Sequence, residues 1–212
     1  MPDLLIATTN PGKRVELQAL FAELSSDPAS GKVLSSLRLV LPAELGIALE
    51  VEENGTTYAE NAILKARAFQ QASGLVTLAD DSGLEVEPLG GAPGVYSARY
   101  SPKPGAKDAD RRALLLENLK SLPRPWKARF CCSVAIAIPG GDVRLVDGFC
   151  PGEIIPEERG NNGFGYDPVF YLPELGRTMA ELSMAEKNRL SHRARAFQAA
   201  VPVLSKLFSE GE

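Results

Sequence analysis

Leu4-Leu5-Ile6-Ala7-Thr8-Thr9-Asn10-Pro11-Gly12-Lys13 is the segment on which the reading of the fold turns. Its short apolar run reads as a buried strand. The polar Thr8-Thr9-Asn10 and the Pro11-Gly12 pair stop that strand. Val15, Leu17, Leu20, Phe21 and Leu24 then supply the apolar stripe of a helix. A strand that turns directly into a helix is the opening unit of an α/β fold.

The rest of the chain extends this pattern. Residues 25–32 are rich in Ser, Pro and Gly and read as a surface loop; residues 37–41 read as a second strand. Glu52-Glu53-Asn54-Gly55 is a polar turn. Thr57-Tyr58-Ala59-Glu60 has the Thr-x-x-Glu spacing of a capping box and opens an Ala-rich helix that reaches Ser73, with Gly74 as its stop. Residues 75–79 form another strand, ending at Asp80-Asp81-Ser82-Gly83. Residues 90–94 are a Gly/Pro loop and 108–119 a helix. Residues 128–138 and 143–149 read as a hairpin around Pro139-Gly140-Gly141-Asp142. A flexible loop covers 160–165, and Ser183-Met184-Ala185-Glu186 repeats the capping-box spacing. Residues 191–208 complete the pattern as a helix bent or broken near Pro202. Early alternation of strand and helix followed by a hairpin predicts an α/β fold with a mixed sheet.

Composition narrows the function. A chain of 212 residues suits one large domain or two closely joined lobes. Its 23 Lys and Arg against 27 Asp and Glu give a net charge of −4, which argues against a broad nucleic-acid surface. A few local lysines can still hold a small anion. No apolar run approaches the ~20 residues of a membrane span, and the N-terminus lacks the basic-then-apolar order of a signal peptide. Cys131, Cys132 and Cys150 form no spaced framework, so reduced thiols and a cytoplasmic location are expected. With His192 the only histidine, a Cys/His zinc site is not expected.

Several segments could carry chemistry. Backbone N–H groups at a helix N-terminus favour anions, and Lys13 adds a full charge there. Thr8, Thr9, Asn10, Pro11, Gly12 and Lys13 are therefore either a phosphate loop or an ordinary strand-to-helix turn. They are not a Walker A loop, because Arg14 follows Lys13 where that motif needs Ser or Thr. Two acidic pairs follow, Glu52-Glu53 and Asp80-Asp81. Mg²⁺ takes oxygen ligands, often one or two carboxylates with phosphate oxygens and waters. Adjacent strand residues point to opposite faces, so one of Asp80 and Asp81 should meet a metal directly. Lys65 lies on a helix between the two acidic pairs and is either a solvated lysine or a phosphate contact. Gly163-Phe164-Gly165-Tyr166-Asp167-Pro168 could stack on a base and accept a hydrogen bond, or its aromatics could pack on the core. Ser191-His192-Arg193 offers donors to a base carbonyl, and Lys187 lies just upstream.

Together these motifs resemble the inosine triphosphate pyrophosphatase family, also called the dITP/XTP pyrophosphatases. The resemblance rests on Ala7 to Lys13 with Glu16, on Glu60-Asn61-Ala62-Ile63-Leu64-Lys65-Ala66 and on Ala79-Asp80-Asp81-Ser82-Gly83-Leu84. It continues through Gly91-Ala92-Pro93-Gly94-Val95-Tyr96-Ser97-Ala98-Arg99-Tyr100, the Gly163 to Pro168 segment, Glu186-Lys187 and Ser191-His192-Arg193. It implies an elongated mixed β-sheet flanked by helices, with residues 1–212 forming a single domain of two lobes around a nucleotide-binding cleft, usually as a homodimer. By position it makes Thr8 to Lys13 and Lys65 phosphate ligands, Glu52 and Asp81 the Mg²⁺ carboxylates, and Asp81 also the catalytic base. Ser82 becomes a substrate contact, and Phe164, Gly165, Tyr166, Asp167, Lys187, His192 and Arg193 become the base and sugar pocket. Thr9 stands where the family often has glycine, and residues 25–36 look longer and more polar than its usual connection. The implied reaction is attack of water on the α-phosphorus of a purine nucleoside triphosphate such as ITP, dITP or XTP, releasing pyrophosphate. A Maf-type pyrophosphatase of other base preference and a non-catalytic nucleotide-binding module are the alternatives.

Overall fold

The computed structural model describes residues 1–27 and 31–209. Strand β1 (Asp3–Ile6) pairs in parallel with β2 (Arg38–Val40) on one side and β3 (Val76–Val86) on the other. β4 (Pro93–Gly94) runs antiparallel to β3. β5 (Trp126–Ala137), β6 (Val143–Ile154), β7 (Phe170–Leu172) and β8 (Arg177–Thr178) continue the sheet in the order β2-β1-β3-β5-β6-β7-β8. β6 with β7 and β7 with β8 are antiparallel, so the sheet is mixed, and it is open, ending at β2 and β8. The helices are α1 (Pro11–Ser26), α2 (Gly31–Leu34), α3 (Tyr58–Ser73), α4 (Asp108–Leu119), α5 (Met184–Leu190) and α6 (His192–Ser209).

The chain divides into two compact units. The first holds Met1–Asp81, Cys132–Gly148 and Arg193–Glu212; the second holds Ser82–Cys131 and Phe149–His192. In the first, β1 and the adjoining parts of β3 and β5 are buried on both faces. Leu4 and Ile6 face one core with Leu78, Val134 and Ile136, under α1 and α6 residues such as Leu17, Leu20, Phe197 and Leu204. Leu5 and Ala7 face the other core with Ala79, Ala135 and Ala137, under Ala62, Ala66 and Phe69 of α3. That two-sided burial is why β1 reads as an uninterrupted apolar run. In the second unit, Trp126, Ala128 and Phe130 of β5 are buried while Lys127 and Arg129 between them are exposed, the period-two pattern of a sheet covered on one face. That core also takes Leu115 and Leu119 of α4, with Phe170 and Met179.

Helix boundaries follow local chemistry. Asn10 caps α1 by accepting from the Lys13 amide at 3.1 Å, with Pro11 in the first turn. Thr57 and Glu60 form the expected capping box of α3, and Gly74 closes it in a left-handed conformation. Ser183 and Glu186 do the same for α5. Four expectations need correcting. The strand read over 75–79 continues through Asp80 and Asp81 to Val86, because their side chains find partners and Leu84 and Val86 find a core. The helix of residues 192–209 is continuous through Pro202. The loop read over 25–32 is helical to Ser26 and again from Gly31, while Pro28, Ala29 and Ser30 lie outside the described residues. Val15 is exposed and not part of the α1 stripe.

Candidate active site

The first unit gathers its charges where β3 leaves the apolar core. Asp80 and Asp81 point to opposite faces of the strand, as adjacent residues must. Asp80 shares the face of Leu78. Its Oδ2 lies 2.9 Å from Lys13 Nζ and accepts from Arg193 Nε and Nη2 at 3.4 Å. The third Arg193 nitrogen, Nη1, donates to Glu16 of α1. Burial alone would raise the Asp80 pKa, but Lys13, Arg193 and Lys65 outweigh it and hold the carboxyl well below the usual carboxylate range.

Asp81 lies on the α3 side. Asn61 Nδ2 donates to Asp81 Oδ2 at 3.2 Å, and Asn61 Oδ1 accepts from the Gly55 amide at 2.8 Å. One buried amide thereby ties the middle of β3 to the acidic turn. Lys65 Nζ donates to the Asp80 carbonyl at 2.6 Å and sits 3.0 Å from Glu53 Oε1 and 3.6 Å from Asp81 Oδ1. Burial pulls the Lys65 pKa down, yet Asp80, Asp81 and Glu53 reverse the balance, so it is raised. Burial wins at Asp81, whose pKa is raised although Lys65 and Lys13 oppose it. Lys65 is thus a buried partner of acids, not a solvated helix lysine. Glu53 faces it, whereas Glu52, the metal ligand expected from the sequence, is exposed. Of these two neighbours, the structure turns Glu53 inward to Lys65.

The second unit carries the aromatic segment. Tyr166 is a core residue: its ring is buried and its hydroxyl donates to the Ser97 carbonyl at 2.9 Å. Phe164 is only partly buried, and Lys187 Nζ lies 5.5 Å from its ring centre. Lys187 also pairs with Asp167 Oδ2 at 2.5 Å, with both side chains 5% exposed, and the same oxygen accepts from the Phe164 amide at 3.0 Å. A Cβ on Gly163 would come within 2.0 Å of that carboxylate, so the close approach requires glycine there. His192 opens α6 and stacks on Phe130 at 4.7 Å. Ser82 is partly buried on β3.

The sequence profile of the Ham1 family matches residues 4–203. The chain belongs to the Ham1 family. It is 44% identical over 210 residues to the dITP/XTP pyrophosphatase of Desulforamulus reducens, covering 99% of this chain and 98% of that one. It is 47% identical over 197 residues to the enzyme of the same name from Geobacillus kaustophilus, covering 92% and 91%. Among solved structures it resembles a HAM1 protein from Coxiella burnetii, with TM-score 0.83 and 38% identity over 97% of this chain and 100% of that one. The motif resemblance and the mixed α/β sheet are thereby borne out.

Motif spacing assigns no role to Glu16, Asn61, Asp108 or Arg112, and it favours Glu52 over its neighbour Glu53 as the metal ligand. Glu16 and Asn61 stood inside quoted motifs, and burial of a polar residue in an apolar helix face was their available signal. For Glu53, Asp108 and Arg112 the signal is geometric.

Proposed function

We propose that this chain is a nucleoside-triphosphate pyrophosphatase that cleaves ITP, dITP and XTP to the monophosphate and pyrophosphate and so removes deaminated purines from the nucleotide pool. The observation that carries this reading is the Asp81, Glu53 and Lys65 group, with Lys13 held by neighbouring Asp80 at the start of a phosphate-type helix. The relatives' shared name, dITP/XTP pyrophosphatase, supports the substrate class.

Lys13, the N-terminus of α1 and Lys65 bind the triphosphate and stabilise the charge that builds on it. Asp81, with its pKa raised by burial, accepts the proton of the water attacking the α-phosphorus. Asn61 orients that carboxylate. The donor set fits a hard divalent cation, since it offers carboxylate oxygens and no thiol or imidazole. Glu53 and Asp81 would hold Mg²⁺. Among the described residues no cluster of three or more His, Cys, Asp or Glu could hold an ion alone, so phosphate oxygens and water would complete it. Bound there, Mg²⁺ supplies Lewis-acid polarisation of the phosphate oxygens.

Phe164 stacks on the purine, and Lys187 and His192 donate to the oxygen that hypoxanthine and xanthine carry at C6. Adenine presents an amino donor at that position and is penalised. The enzyme works as a cytoplasmic homodimer, in line with the family resemblance and with three buried cysteines that form no disulfide. The test is pyrophosphate release across ITP, XTP, GTP, ATP and pyrimidine triphosphates, with and without Mg²⁺. Release of IDP with inorganic phosphate as first products would refute the reading.

A further inference from the structure

We propose that Asp108 and Arg112 of α4 are positioning residues that clamp Gly165 and thereby hold Phe164 ready for the purine. The inference rests on the base-binding role proposed for the 163–167 loop. That loop has little regular structure of its own, and both its glycines take positive φ, +74° at Gly163 and +63° at Gly165. Glycine adopts many backbone states, so a single loop conformation requires external ties. Gly165 sits between Phe164 and Tyr166, and both of its backbone polar groups are taken by α4. Its amide donates to Asp108 Oδ2 at 2.7 Å, and its carbonyl accepts from Arg112 Nη1 at 2.8 Å.

Asp108 and Arg112 are four residues apart and so share a helix face. Each is itself held. Arg111 Nη1 donates to Asp108 Oδ1 at 2.6 Å, leaving Oδ2 to Gly165. Arg112 uses Nε and Nη2 for a two-point bond to Glu158, both at 2.9 Å, leaving Nη1 to the loop. The rigid guanidinium fork makes these contacts simultaneously, which a lysine could not. A Cβ on Gly165 would meet nothing within 4 Å, so the site constrains this residue through its backbone alone. Tyr166, anchored in the core, and Asp167, bonded to Lys187, fix the far side of the loop. Phe164 itself is tied to Asp167, whose Oδ2 accepts from the Phe164 amide at 3.0 Å and whose amide donates to the Phe164 carbonyl at 3.2 Å, and the α4 clamp adds the bonds to Gly165 beside it.

The test compares wild type with Arg112→Ala, Arg112→Lys and Asp108→Asn. An asparagine offers one acceptor where the Asp108 carboxylate serves two donors; the charged Arg111 takes it, and the Gly165 amide loses its partner. KM for ITP should rise about 10-fold in each variant, the scale of one lost bond to a charged group, with kcat within about two-fold. Inhibition by inorganic tripolyphosphate, which lacks a base, should be unchanged. Hydrogen exchange at the Gly165 amide should accelerate in Asp108→Asn without nucleotide. Should Arg112→Ala fail to fold, the isosteric Asp108→Asn carries the comparison. An unchanged KM, a parallel loss of tripolyphosphate binding, or unchanged Gly165 exchange would each overturn the clamp. A wild type inactive on every purine triphosphate would instead remove the nucleotide reading, and the exchange result would still decide whether Asp108 holds the loop.

Discussion

The charged group of the first unit and the aromatic loop of the second solve the problem of holding a polar site in opposite ways. In the first, carboxylates and cations stand on β3, α1, α3 and α6, with Glu53 on the turn before α3, and neutralise one another: Asp80 with Lys13 and Arg193, and Lys65 with Glu53 and Asp81. Regular elements packed on two apolar cores leave these side chains little freedom. In the second, the Phe164 segment is a glycine loop whose shape comes from hydrogen bonds to its backbone, two of them made by Asp108 and Arg112 of α4. The first arrangement suits chemistry, where groups must be placed accurately against phosphate. The second suits recognition, where a ring must be presented.

The contrast predicts where substitution hurts most. Asp80→Asn leaves Lys13 and Arg193 without their common carboxylate and should cost about 3–5 kcal/mol of stability, the range for breaking a buried ion pair. For a chain of this size that lowers Tm by roughly 6–20 °C. Because its cations hold Asp80 below the usual carboxylate range, its contribution is present above the unfolded pKa and fades as pH falls. The gap in Tm between wild type and Asp80→Asn should therefore narrow on acidification from about pH 5. A gap independent of pH would mean that Asp80 stabilises by shape and not by charge. Asp81→Asn should behave differently: Tm near wild type, and turnover down at least ~100-fold through loss of the base. A folded Asp81→Asn enzyme of near-normal pyrophosphate release would place the base elsewhere.

The same contrast explains what was legible in the sequence. β1, α3 with its capping box, α4 and the capped turn from β1 into α1 follow from periodicity and caps, which are local. The continuation of β3 past Asp80 was not legible, since two adjacent acids end a strand unless distant cations receive them. Lys13, 67 residues away in sequence, and Arg193, 113 away, are those cations. Tyr166 illustrates the limit at the loop. Two aromatics flanked by glycines read alike, but one has a carbonyl partner at Ser97 and a core to enter, while the other remains partly exposed. Only tertiary packing distinguishes them.

Arg193 is expected from its motif to read the base, yet the structure places it with Asp80 and Glu16. Its three guanidinium nitrogens contact Glu16 and Asp80, so Arg193→Ala should lower Tm as well as activity. If its remaining donor capacity serves the purine, kcat/KM for ITP should fall about 10-fold more than for ATP, compressing the ratio between them. Equal slowing of both substrates would assign Arg193 to the phosphate end or to the fold. Base choice would then rest on the Phe164, Lys187 and His192 set alone.

The smallest expected effect is the sharpest test of geometry. Glu52 and Glu53 are chemically identical neighbours, and the alignment of motifs favoured the first. In the structure Glu53 Oε1 lies 3.0 Å from Lys65, and its charge adds to the upward shift at Asp81, while Glu52 is exposed. A solvated carboxylate interacts weakly with a site across water, whereas one beside a buried lysine and a base does not. Glu53→Gln should therefore lower kcat/KM about 10-fold and raise the Mg²⁺ concentration needed for half-maximal rate, since Mg²⁺ is held by few carboxylates. Glu52→Gln should stay within about two-fold of wild type in both measures, as for surface substitutions generally. Both variants should keep the wild-type Tm to within a few degrees, which separates loss of a ligand from loss of the turn. The reverse pattern, with Glu52→Gln the damaging change, would show that the turn re-registers by one residue when nucleotide binds.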